Sequence, residues 1–160
     1  MAKINIVDTD KKYLDSIYRH LSVQSLLDIK AVNGEVTKSV LLSMLNASSF
    51  SKTVFYDGKI AYTIFVMPTD TNECSVFVVS TTLGYSDVES LRNTFSAIIK
   101  DLPEHNLYSI VYKGNHKYSK LLKDNGFRFI RNLIHGEENR NFLLLGKMKN
   151  DKASVKWTRF

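Results

Sequence analysis

Residues 81–86, Thr-Thr-Leu-Gly-Tyr-Ser, lead from an apolar run into an amphipathic stretch, and Gly84 stands in the turn between them. A glycine at such a turn lets consecutive backbone N–H groups approach an anion, and the positive end of the helix dipole favours that charge. The same residues also obey a local rule. Ser86 and Glu89 have the spacing of a capping box, and Gly84 serves equally as an ordinary strand-to-helix turn. Asp87 and Glu89 suit the dipole but oppose a phosphate in that place. A second stretch of interest is residues 107–127, LYSIVYKGNHKYSKLLKDNGF, an apolar strand that meets Gly-Asn, then a short helix closed by Asn-Gly-Phe. Asn115 is placed to cap the helix that begins at His116. Lys113, Lys117, Lys120 and Lys123 recur at helical spacing, as either a solvated face or a set of phosphate contacts. Asp70 and Glu73, near a turn, are candidates for a general base, a role that needs a raised pKa. The histidines, His20, His105, His116 and His135, have no i, i+4 pair and no cysteine partner, so they form no zinc ligand set. There is no Gly-x-Ser-x-Gly and no P-loop. Cys74 is the only cysteine, which excludes an intramolecular disulfide, and it reads as a small buried hydrophobe.

The elements that position these residues follow from periodicity. Ile4 and Ile6 mark a first strand, with Asp8 or Thr9 able to cap the helix after it. Tyr13, Leu14, Ile17, Tyr18 and Leu21 recur at helical spacing. A second helix covers 23–32 and breaks at Asn33-Gly34, and Val36, Val40, Leu41, Met44 and Leu45 restart the pattern. The period then changes. Residues 54–56 and 59–67 flank Asp57-Gly58 and read as a β-hairpin that ends at Pro68. A turn at 69–72 precedes a strand at 74–80, buried on both faces by its composition. Val88, Leu91, Phe95, Ile98, Ile99 and Leu102 form the apolar stripe of a helix. A strand at 108–112, a helix at 116–125, a strand at 127–133, a loop through 135–140 and a strand at 142–147 complete the chain. The order β-α-α-α-β-β-β-α-β-α-β-β predicts an α/β mixed sheet with helices on both faces, a three-layer α/β/α domain.

The chain's 160 residues are enough for one compact domain, which buries roughly 70% of the surface its unfolded chain exposes. With 44% hydrophobic and 24% charged residues, the composition is that of a folded globule. No apolar run reaches the roughly 18 residues of a membrane span, and the first residues lack a secretory h-region. The expectation is one domain over 1–149 with a basic, aromatic tail over 150–160. The net charge is +6, and Lys147, Lys149, Lys152, Lys156 and Arg159 against Asp151 account for +4 of it. That concentration at one end argues against an extended nucleic-acid surface and leaves the tail as the place for such binding.

The turn at Gly84, the Asn115 and Gly126-Phe127 signals and the element order together resemble the GNAT family of N-acetyltransferases. The resemblance implies the GNAT fold, with the turn after the fourth strand holding a cofactor pyrophosphate. On that reading Val78, Ser80, Gly84, Tyr85, Ser86 and Asn115 would bind acetyl-coenzyme A. The family's loop opens with Gln or Arg, where this chain has Thr81. Its leaving-group tyrosine would fall at Leu122, and Tyr118, one turn earlier on the same face, is the substitute candidate. Residues 77–81, 111–116, 120–123, Gly126 and 142–144 look most like the GNAT-like internal virion proteins of T7-like podophages.

Three expectations follow from the resemblance. The first is a bacteriophage virion protein with a structural or assembly role and an eroded site. It would need no cofactor, would partner other virion proteins or itself, and would reside in the virion or the host cytoplasm. The second is an active N-acetyltransferase carrying acetyl from acetyl-coenzyme A to an amine, in which positioning supplies much of the rate. The third is a binding module that docks its basic tail, with Trp157 and Phe160, on a partner protein or nucleic acid.

Overall fold

A computed structural model describes residues 3–70, 72–83, 88–100, 102, 106–135 and 139–148. Among them are seven strands and five α-helices in the expected order: β1 (Ile4–Asp8), α1 (Leu14–Arg19), α2 (Val23–Asn33), α3 (Lys38–Ala47), β2 (Phe50–Tyr56), β3 (Lys59–Asp70), β4 (Glu73–Ser80), α4 (Val88–Lys100), β5 (Asn106–Tyr112), α5 (His116–Asp124), β6 (Arg128–His135) and β7 (Arg140–Lys147). The strands form one sheet in the order β1-β2-β3-β4-β5-β7-β6. Every neighbouring pair is antiparallel except β4 with β5, which run parallel.

Local chemistry sets the boundaries. Ser22 and Thr37 cap α2 and α3 by accepting the Ser25 and Val40 amides. Gly34, at φ 77°, ends α2 in the left-handed conformation. Asp57 and Gly58, at φ 50° and 81°, turn the β2–β3 hairpin. Three expectations need correction. Asp10, not Asp8 or Thr9, caps the short 3-10 turn before α1, because β1 runs through Asp8 and the Thr9 hydroxyl is held by Ser51 and Thr53. Pro68 does not end β3, which continues to Asp70. Pro68 lies opposite Cys74 in a pair whose backbone groups face away from β4, and β2 has already ended there, so no ladder donor is lost. Strands β6 and β7 each reach further into the connection between them than the apolar pattern indicated.

Side-chain alternation across the sheet divides the core between its two faces. Ile64, Val66, Val76 and Val78 pack with Phe95, Ile98 and Ile99 of α4 and Tyr118 and Leu122 of α5. Phe65 and Val79, on the opposite face, pack with Leu14, Ile17, Ile29 and Leu41 of α1 to α3. Each fully buried side chain of this kind contributes about 1.5–3 kcal/mol. The result is the three-layer α/β/α arrangement, with β4 and β5 at its centre.

Candidate functional site

The parallel pairing of β4 with β5 covers only Glu73 to Ser75 against Asn106 to Tyr108. Beyond that point the strands part, while β5 stays paired with β7 through Tyr112. The alternation of an antiparallel ladder decides which groups face the opening. Thr81 donates its amide to Ala61 of β3, so Ser80, Val78 and Val76 turn theirs away from β3 and into the gap. At the apex the Ser109 hydroxyl donates to the Val76 carbonyl at 2.8 Å, and the Tyr118 hydroxyl lies 3.2 Å from that carbonyl and 2.9 Å from Ser109 Oγ. At the far end the turn between α1 and α2 lies along β4 like a short extra strand. Ser22 N donates to Ser80 O at 2.9 Å, Thr82 N donates to His20 O at 3.0 Å, and Leu21 bridges Thr81. Ser25 Oγ accepts the Ser80 amide at 2.8 Å. Between these two closures sits Val78, whose N–H and C=O face the gap with no hydrogen-bond partner among the described residues.

Helix α2 spans the opening on one face of the sheet. Its Ser25 reaches β4, and one turn later Asp28 Oδ2 accepts the Asn115 amide Nδ2 at 2.6 Å, where β5 gives way to α5. Asn115 does double duty, since its Oδ1 accepts the Tyr118 amide and caps α5. Asp28 is 6% exposed. Burial pushes its carboxyl up to about 6, against the opposing pull of hydrogen bonds from Asn115 and Gln24. Above this bridge opens a cavity of about 650 Å³, lined among the described residues by Ser22, Gln24, Thr81, Thr82, His116 and Lys117 with Val23 and Gly114. A second cavity, of about 510 Å³, shares Thr81 and Thr82 and opens toward Tyr13, His20, Phe55 and Lys59.

The structure therefore brings together Val78, Ser80, Asn115 and Tyr118 from the sequence-derived set. Of these, Ser80 already spends its backbone on α2. Gly84, Tyr85 and Ser86, with the capping box to Glu89, lie outside the described residues. Leu122 is fully buried in the core under α5. The general-base candidates Asp70 and Glu73 face each other at the start of β4, where β4 and β5 still pair. Ser22, Ser25, Asp28 and Ser109 carry the site and drew no attention in the sequence, because each is a short polar residue in an unremarkable helix or strand. Lys113, Lys117, Lys120 and Lys123 are exposed. Among the described residues no group of three or more His, Cys, Asp or Glu side chains could hold a metal ion, and no helix is long and apolar enough to cross a membrane.

A sheet that parts between parallel central strands, with helices on both faces, is the architecture of the GNAT acetyltransferases, and the chain has that fold. Ard1 from Thermoplasma volcanium superposes with a TM-score of 0.70 at 14% identity, covering 90% of this chain and 96% of that one. The ribosomal-protein-S18-alanine N-acetyltransferase from Escherichia coli gives 0.67 at 13%, covering 97% and 100%. YncA from Salmonella typhimurium, solved with its cofactor acetyl-CoA, gives 0.69 at 10%, covering 96% and 98%. No family model and no curated protein matches the sequence. Nothing in these likenesses connects the chain to the internal virion proteins of T7-like podophages, so the fold expectation stands and the phage expectation gains no support.

Proposed function

We propose that the protein transfers an acetyl group from acetyl-coenzyme A to an amine. The observation that carries this reading is the parting of β4 and β5 around Val78, in a fold whose neighbour YncA holds acetyl-CoA. The open N–H and C=O of Val78 suit one amide of an extended pantetheine arm. The adjoining cavity, about 650 Å³, has Lys117 and His116 in its wall, which suits an anionic ligand. Gly84, Tyr85 and Ser86, ahead of α4, are the residues for the pyrophosphate. Acetyl-coenzyme A, when bound, supplies the activated thioester. Tyr118 replaces the tyrosine that the family places at Leu122. Its hydroxyl is held at the apex of the gap by Ser109, from where it can give a proton to a leaving thiolate.

One observation favours a second reading, a protein of this fold that no longer catalyses. The α1–α2 turn occupies the β4 edge from Ser80 to Thr82, which leaves Val78 alone for an extended ligand. The virion role attached to that reading has no support in the structure or the comparisons.

Titration with acetyl-coenzyme A, followed by calorimetry and thermal melting, separates the two. At a hundredfold excess over the dissociation constant a real site adds about 2.7 kcal/mol, hence roughly 5–10 °C in melting temperature. Gly84→Glu, which blocks close backbone approach, is expected to abolish that binding and leave the fold intact. No heat and no shift at millimolar ligand would refute the enzyme reading.

A further inference from the structure

We propose that Asp28 is the receptor for the acceptor's ammonium group and that it removes the proton making the amine nucleophilic. The inference rests on the acetyltransferase reading and deepens it.

The first support is a missing cation. Asp8, Asp15 and Asp124 each pair with a lysine or arginine at the surface. Asp28, far more buried, pairs with none of the described residues, and its partners are the neutral amides of Asn115 at 2.6 Å and Gln24 at 3.4 Å. A buried carboxylate with no countercharge is costly, and a ligand cation supplies what the fold leaves out. The second support is position. Ser25 and Asp28 share one face of α2, and that face spans the gap from Ser80 to Asn115, so Asp28 stands over the opening that contains Val78. Gln24 connects the two spaces, since it lines the cavity and donates to Asp28 Oδ1.

His116 and Lys117, both exposed, flank the cavity from the start of α5; Lys30 is exposed on α2; neither β4 nor the α1–α2 turn places a charged side chain there. A single ammonium reaching Asp28 is attracted to its carboxylate, with which no described cation pairs. The chemistry balances. The ammonium R–NH3+ gives one proton to the Asp28 carboxylate, and the free amine nitrogen bonds to the thioester carbonyl carbon. The C–S bond then breaks, its electron pair leaves on sulfur, the thiolate takes the Tyr118 hydroxyl proton, and the second nitrogen proton passes to the resulting Tyr118 phenolate. A carboxyl held at about 6 is ionised at neutral pH and more basic than an exposed aspartate, which suits both tasks.

The probe is n-propylammonium chloride, observed through the 13C-labelled aspartate carboxyl resonances of the full chain, with Asp28→Asn assigning the Asp28 signal. Saturating propylammonium is expected to lower the Asp28 titration midpoint by at least one pH unit. Asp28→Asn is expected to weaken propylammonium binding at least tenfold, and Asp28→Glu to recover part of it. A midpoint unmoved by propylammonium, or equal binding by Asp28→Asn, would overturn the proposal. Acetyl-coenzyme A binding, measured in the same samples, reports on the function separately: its absence with the propylammonium shift intact overturns the acetyltransferase reading and leaves the amine site standing.

Discussion

Replacing Asp28 by asparagine makes a stability prediction that is independent of any catalytic role. Asparagine keeps the shape and an acceptor oxygen for Asn115 and removes the buried charge. The folded-state carboxyl titrates at about 6 against an ordinary 3.8, a difference of roughly two pH units or about 3 kcal/mol. The sign follows from linkage. Because the folded value is raised, the native state binds the proton more tightly, and the wild-type protein has its full advantage below pH 4. That advantage is lost as the pH rises from about 4 through about 6. Asp28→Asn carries no such titration. The difference in unfolding free energy between variant and wild type should therefore grow by up to about 3 kcal/mol in the variant's favour between pH 4 and pH 7.5. Urea unfolding at four or five pH values measures it, and with slopes of about 1–3 kcal/mol/M the midpoints should separate by roughly 1–3 M. A difference between the two proteins that stays constant across that range would show that Asp28 titrates normally, and the account of a desolvated carboxylate at the gap would be wrong.

Asn115→Ala removes both the cap of α5 and the donor that lowers the Asp28 pKa; the Asp28 midpoint should rise above its wild-type value, with a loss of about 1–2 kcal/mol for the cap, read by carboxyl NMR and melting. Tyr118→Phe alone should cost about 1 kcal/mol because Ser109 still serves the Val76 carbonyl, whereas Tyr118→Phe with Ser109→Ala leaves that carbonyl orphaned and should cost more than the two single changes together. A double-mutant cycle in urea that is additive would count against the shared role at the apex. Leu122→Ala should cost 2–5 kcal/mol through the cavity it leaves under α5, with equilibrium unfolding as the measure.

Element order was legible in the sequence because the hydrophobic period switches cleanly and because Gly34 and Asp57-Gly58 impose turns that few residues adopt. The site was only partly legible. Asn115 announces itself as a cap, and its cap role and its site role turn out to be one geometry. The parting of β4 and β5 has no residue signature, since it consists of ladder bonds that are not made. Helix α2 was the hardest to read. It buries Ser25 and Asp28 beside Ile29 and Ala31 and exposes Val23, Leu26 and Leu27, so polar and apolar residues share both faces. A reading that assigns apolar residues inward places Asp28 in solvent.

A sheet that opens in its middle has four edges instead of two, and each unpaired edge is a template on which another polypeptide can add a strand. In this protein the inner edge of β4 is kept too short for that by the described residues. Ser109 and Tyr118 cover β4 at Val76, the α1–α2 turn covers it at Ser80 and Thr82, and the uncovered length is one residue. Strand addition draws its affinity from several consecutive backbone bonds. An opening of one residue refuses a peptide and still admits a slender chain with a single amide at the right height. The same hydrogen bonds that narrow the site keep the protein from pairing with itself through the centre of its own sheet.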